Sequence, residues 1–136
     1  MFVTAWMGIL DISTGIMSFA NAGHNPPIIM RQDGSCEYLN SKVGFVLAGM
    51  GGVKHKEQQL ELKPGDKLYL YTDGVTEATD SNDNLYGEER LLSLLQTKMA
   101  LSVDDILQAV KDDIDDFVGE AEQFDDITMV MLQYLK

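Results

Sequence analysis

Three short stretches of this sequence carry residue types that could do chemistry. The first is Tyr71-Thr72-Asp73-Gly74-Val75-Thr76-Glu77. Asp73 ends a strand-like run and precedes a glycine. Locally, Asp-Gly is an ordinary turn pair. Held at the end of a rigid strand, the same carboxylate could bind a hard divalent cation, because carboxylate oxygens suit Mg²⁺ and Mn²⁺.

The second stretch is Phe124-Asp125-Asp126-Ile127-Thr128. Adjacent acids repel each other, and burying them is costly unless they are paired or bound to metal. On one reading both point to solvent where an apolar strand begins. The other reading links them to Asp73. If a strand over 67–72 runs antiparallel beside one over 127–135, Asp73 and Asp125 lie at one end of a sheet. Two carboxylates that close would have raised pKa values unless a cation offset them.

The third stretch is Asn21-Ala22-Gly23-His24-Asn25-Pro26-Pro27. His24 could act as a general acid or a metal ligand. The favoured reading is structural, a turn whose side chains hydrogen-bond the local backbone. His55 stands alone in a polar strand and is assigned no role.

These residues need elements to position them. Residues 2–12 are rich in β-branched and aromatic types and read as a strand. Asp11 to Gly15 is a turn, and residues 16–22 complete a hairpin. Pro26 and Pro27 exclude a central strand at that point. Asp33-Gly34 between short β-like runs signals another hairpin, 28–31 with 37–39. Residues 43–47, 53–62 and 67–72 read as further strands, the last two joined by a tight turn at Lys63-Pro64-Gly65-Asp66.

From Gly87 the apolar period changes. Leu91, Leu92, Leu94 and Leu95 fit one stripe of a helix of about ten residues. Ser102 is a good N-cap for a second helix carrying Val103, Ile106, Leu107, Val110, Ile114 and Phe117, which should stop near Gly119. Residues 127–135 are apolar at successive positions, which predicts a strand covered on both faces. Strands, then two helices, then a last strand make an α+β protein. The helices are expected on one sheet face.

The chain has 136 residues, 45% of them hydrophobic and 24% charged, enough for one domain with a core. The formal charge of −12 argues against a nucleic-acid partner. Ten of the 22 acidic residues fall between Asp104 and Asp126. Asp112, Asp113, Asp115 and Asp116 are read as a solvated helix face. No apolar run approaches the roughly 20 residues that span a bilayer, and the first residues do not read as a signal peptide. A single cysteine, Cys36, excludes an internal disulfide and suits a reducing cytoplasm. Nucleophile-elbow, Walker and Rossmann patterns are absent, and neither histidine has the spacing of a zinc pair.

Five segments, in order, resemble one family. They are Met1-Phe2-Val3-Thr4, Asn21 to Pro27, Leu62-Lys63-Pro64-Gly65-Asp66, Tyr71 to Ala78, and Phe124 to Thr128. Together they resemble the SpoIIE-type branch of the PPM metal-dependent serine/threonine phosphatases. The resemblance implies two packed, mostly antiparallel β-sheets flanked by helices. It implies two bridged Mn²⁺ or Mg²⁺ ions that activate a water for attack on phosphoserine.

By the same resemblance, Asp73 is a metal ligand and Asp125 another, with Asp126 the neighbour that could take its place. Gly74 lets the backbone approach the site. The family's bridging aspartate belongs to a segment upstream of the Phe-Val-Thr strand. Residues 1–136 therefore read as one domain, the C-terminal, N-terminally truncated portion of a SpoIIE-type phosphatase domain that is inactive alone, in preference to a degenerate relative of the family. The implied substrate is a phosphoserine-containing, anti-anti-sigma-like bacterial regulatory protein, with control by an attached sensory domain. The alternative is a non-catalytic phosphatase-like interaction module. Self-association through sheet edges left open by the missing strands is a further expectation.

Overall fold

The structure is a computed structural model that describes residues 1–123 and 125–135. Among these residues, eight strands form two sheets. The first sheet holds β1 (Ala5–Asp11), β2 (Ile16–Ala22), β5 (Val43–Gly44) and β6 (Gln58–Glu61). The second has the order β4 (Cys36–Tyr38), β3 (Ile28–Met30), β7 (Lys67–Tyr71), β8 (Met129–Gln133). All pairings are antiparallel except β2 with β5. Three helices follow β7: a single turn α1 (Asp73–Thr76), then α2 (Glu88–Thr97) and α3 (Val103–Val118). No helix among the described residues is long and apolar enough to cross a membrane.

Two apolar clusters make three layers. Met17, Phe19 and Leu60 of the first sheet meet Ile29 and Leu68 of the second, with Tyr134 just past β8. On the other face of the second sheet, Ile28, Met30, Tyr69 and Tyr71 meet Leu91 and Leu95 of α2 and Ile106, Val110 and Ile114 of α3. The alternation along β7 explains both contacts. Leu68 faces one cluster while Tyr69 and Tyr71 face the other, as the two-residue period of a strand requires. Each large apolar side chain so buried contributes about 1.5–3 kcal/mol.

Local signals held well where they were strong. Gly15 takes φ of 78° to close the β1–β2 turn. The Ser102 side chain accepts from the Asp105 amide at the start of α3, and Gly119 caps its end. Other expectations are corrected. The strand read over 53–62 shrinks to Gln58–Glu61, since only those residues find partners on β2. The strand over 127–135 is Met129–Gln133 and lies at an edge, with Val130 exposed rather than covered. Its apolar run pairs on one side only, with β7.

Asp113 also departs from the solvated-face reading. It is half-buried and takes a two-pronged contact from Arg90, with Nε to Oδ2 and Nη2 to Oδ1 both 2.9 Å. The Tyr86 hydroxyl donates to the same carboxylate at 2.7 Å. Arg90 holds the Asp113 carboxyl below the usual range against the opposing effect of burial. The contact ties α2 to α3 behind the second sheet. Asp112, Asp115 and Asp116 do face solvent.

Asp66 is almost fully buried. Burial pushes its carboxyl up, but Arg31 at 2.8 Å and the amides of Lys63 and Gln32 at 2.9 Å more than reverse this, leaving its pKa lowered. A depressed folded-state pKa contributes stability that is present above the unfolded value, about 3.9, and is lost as pH falls through the folded value. Asp66→Asn should cost about 1–3 kcal/mol at neutral pH, because it replaces a buried carboxylate held by Arg31 and two amides with a weaker, neutral acceptor. Thermal melts at pH 7 and pH 3 check this: the gap between variant and parent should narrow at pH 3.

Candidate functional site

Asp73 stands where β7 gives way to α1. The Thr72 amide donates to the Thr128 carbonyl at 3.2 Å, which carries the β7–β8 ladder one step past Tyr71 and Met129. The chain then turns. The Val75 amide donates to the Thr72 carbonyl at 3.0 Å, and the Glu77 amide to the Asp73 carbonyl at 2.8 Å. The sequence reading had no helix here. The turn is helical because Val75 and Thr76 are buried, Val75 completely, so the segment folds back onto the core.

The antiparallel register puts the Asp125-Asp126 segment at the same rim. Gly74 shows how close the two segments come. A Cβ added there would be driven into the Asp126 carbonyl group, 2.8 Å from its carbon and nearer still to its oxygen. Only glycine lets the two backbones approach so closely. Asp125 is held locally: its carbonyl accepts from Gln123 Nε2 at 2.7 Å, and its Oδ1 accepts from the Asp126 amide at 2.8 Å.

Asp73, Asp125 and Asp126 are all exposed. The structure therefore brings the three acids of the two stretches to one end of the second sheet, with their carboxylates open to solvent. Phe124 lies outside the described residues. Among the described residues, no group of three or more His, Cys, Asp or Glu is arranged to hold a metal ion by itself. The donors are hard oxygens of the type that Mg²⁺ and Mn²⁺ take.

Glu77 and Glu122 were passed over in the sequence. With Gly74, Asp115, Asp125 and Ile127 they line a cavity of about 90 Å³ beside the rim. Glu77 lay within reach of notice, at the end of the Thr-Asp-Gly-Val-Thr-Glu run. Glu122 gave no signal, since its place here depends on how the chain returns from α3. Four acids around one small cavity raise the local concentration of cations.

His24 sits in a hydrogen-bonded Asn/His/Pro turn. Its amide donates to Asn21 Oδ1 at 2.8 Å, and Asn21 Nδ2 donates to its carbonyl at 3.0 Å. Its Nδ1 lies 3.0 Å from Thr4 Oγ1, which ties this loop to the start of the chain. His55 Nε2 lies 2.7 Å from the Phe45 carbonyl oxygen.

A family model described as Stage II sporulation protein E (SpoIIE) matches residues 1–135. The chain belongs to the SpoIIE family. Among curated relatives, Protein IcfG of Synechocystis is 35% identical over 130 residues, 96% of this chain and 20% of that protein. Phosphoserine phosphatase RsbU of Bacillus subtilis is 26% identical over 136 residues, 98% of this chain and 39% of that protein. The chain thus spans well under half the length of either relative.

Solved structures show the fold. The SiaA-PP2C domain of Pseudomonas aeruginosa superposes with a TM-score of 0.82 at 21% identity, over 96% of this chain and 51% of that one. The manganese-presoaked phosphatase domain of SpoIIE from Bacillus subtilis gives 0.68 at 18% identity, over 97% of this chain and 56% of that one. The two-sheet α+β architecture expected from the resemblance is the one observed.

Proposed function

We propose that this chain is the C-terminal portion of a metal-dependent protein phosphatase domain that hydrolyses phosphoserine on a bacterial regulatory protein. The observation that carries the reading is the meeting of Asp73 with Asp125 and Asp126 at one rim, with Gly74 packed against the Asp126 backbone. Asp73 and Asp125 are the metal ligands in this reading, with Asp126 the alternative to Asp125. The ions are Mn²⁺ or Mg²⁺, and two are expected once an upstream bridging aspartate joins them. Bound there, they supply a metal-activated water and stabilise charge on the phosphoryl group. The chain's own residues hold the carboxylates at the sheet end.

The phosphoserine substrate accords with RsbU, which is named a phosphoserine phosphatase. An anti-anti-sigma-like substrate and an attached sensory domain follow from the family resemblance. Cys36, buried and unpaired, fits a reducing cytoplasm. On this reading residues 1–136 alone are inactive, because they hold only part of the ligand set. A non-catalytic interaction module is the second reading, favoured by the lack of a three-ligand cluster among the described residues. Calorimetric Mn²⁺ titration of a protein carrying this chain with its upstream segment separates the two. Saturable binding that Asp73→Asn weakens supports the enzyme, and no binding supports the module.

The isolated chain has an open edge as well. Among the described residues β1 pairs only with β2 within its sheet, so its other side presents free backbone groups. Met7 and Ile9 on its outer face are each 66% exposed. Such an edge is a template for pairing with another strand. Residues 1–136 are expected to self-associate in light scattering, and Ile9→Lys should shift the population to monomer. A parent chain that is strictly monomeric would end this proposal.

A further inference from the structure

Residues 23–27 carry the chain from β2 in the first sheet to β3 in the second. His24 sits on that crossing and has no part in the metal site proposed above. Its backbone is held at both polar groups by the Asn21 side chain, which accepts from its N–H and donates to its carbonyl. Asn21 is only 2% exposed, so the clamp is shielded from competing water. The ring is fixed as well, because Nδ1 lies 3.0 Å from Thr4 Oγ1. Nε2 is different: it bonds no described residue and is open to solvent. With Thr4 donating to Nδ1, Nε2 carries the ring hydrogen and presents a donor.

His24 lines a cavity of about 140 Å³ together with Leu70, Thr72, Thr128 and Val130. These four come from facing strands. Leu70 pairs with Val130, and the Thr72 amide donates to the Thr128 carbonyl. The two threonines therefore form the last rung of the β7–β8 ladder. Asp73 follows at once, its Cα about 3.8 Å from that of Thr72. Asp125 and Asp126 lie just upstream of Thr128 on the other strand. The cavity thus adjoins the rim of the candidate metal site, yet none of the three acids lines it.

Charge gives His24 its importance at this end of the molecule. Phosphoserine brings about −1.5 to −2 charges on its phosphate. The acids of the rim repel it unless metal ions intervene. No Lys or Arg lines this cavity or the one beside Glu77. Among the residues that line the two, His24 alone offers a ring N–H donor on a group that can itself become cationic. Hydrogen bonds from such donors to phosphate oxygens are among the stronger ones.

We infer that His24 is a substrate-binding residue whose Nε2 donates to a phosphoryl oxygen of the phosphoserine, which enters the rim through the cavity beside Thr72 and Thr128. The inference rests on the phosphatase reading and adds a phosphate-binding residue to it. The Asn21 clamp and the Thr4 contact then have a use beyond the turn. They hold a first-sheet side chain, with one nitrogen left free, against the last rung of the second sheet.

The test uses the protein that carries this chain with its upstream segment, supplied with Mn²⁺ and a phosphoserine peptide. His24→Asn keeps an amide near the Nδ1 position beside Thr4 but reaches no further, so it removes the Nε2 donor. It should raise KM about tenfold or more, the scale of a hydrogen bond to a charged group. The inhibition constant of inorganic phosphate should rise in step. Mn²⁺ affinity by calorimetry and the melting temperature should stay at the parent's values. His24→Gln places an amide donor near the Nε2 position and should recover most of the loss. A purely structural His24 gives the reverse order, with His24→Asn tolerated and His24→Gln impaired, because only the shorter amide keeps the Thr4 contact. The inference is overturned by that order, by equal losses in both variants, or by a His24→Asn protein whose inhibition by phosphate matches the parent's. A parent protein that turns over no phosphoserine peptide ends the phosphatase reading itself, and this inference with it.

Discussion

Asp73→Asn, in a protein that carries this chain with its upstream segment, should lower metal-dependent phosphoserine turnover by about a hundredfold or more. That is the scale of losing one electrostatic contact to a reacting group. The substitution keeps the side chain's size and removes its charge, so what it tests is the carboxylate as a cation ligand. Asp73 is exposed and its side chain makes no ion pair among the described residues, so the melting temperature should barely move. Weaker Mn²⁺ binding by calorimetry should accompany the loss of turnover. Near-normal turnover with unaltered Mn²⁺ binding would remove Asp73 from the site. Asp125→Asn and Asp126→Asn, measured in the same way, would show which of the neighbours is the ligand.

The second large effect belongs to a residue with no functional group. Gly74→Ala should destabilise the chain by about 3 kcal/mol and loosen the rim. The added methyl would sit 2.8 Å from the Asp126 carbonyl carbon and closer to its oxygen, with Ile127 Cα at 3.4 Å. The obstacle is backbone, so no rotamer change relieves it, and either α1 or the start of β8 must shift. Overpacking of this kind costs roughly 1–3 kcal/mol in ordinary cores, and an obstacle that cannot repack belongs at the upper end. Denaturant unfolding reads the loss of stability, and Mn²⁺ affinity in the longer protein reads the displacement of Asp125. A variant as stable as the parent would show that the two segments do not pack as described. This variant separates position from charge: Asp73→Asn alters a proposed ligand in place, whereas Gly74→Ala leaves every proposed ligand present and moves them apart.

How much of the site was readable in advance depended on range. Asp73 and Asp125 were singled out because each is a carboxylate beside an apolar strand, and antiparallel strands bring such ends together once pairing is assumed. The pairing itself comes from the Lys67–Tyr71 and Met129–Gln133 register. Glu122 could not be found, since it adjoins the rim only through the path taken after α3. Lys67 read simply as the first residue of a strand. Its burial comes with the link between α2 and α3, whose Met99 carbonyl accepts from its Nζ. Asp113 looked like one more solvent-facing acid, and its role appeared only when Arg90 and Tyr86 closed around it.

The amino-acid sequence by itself determined the order of elements, the hairpin at Gly15, the Ser102 and Gly119 ends of α3, and the family segments. Each is encoded within a few residues, by a cap, a turn or a period of 3.6 or 2. Tertiary structure alone decided that β6 is short, that β8 lies at an edge with Val130 exposed, and that Asp73 opens a helical turn. It also decided that Lys67 is buried away from any described carboxylate. Those outcomes rest on which distant segments supply hydrogen-bond partners and cover, and no local window of sequence holds that information.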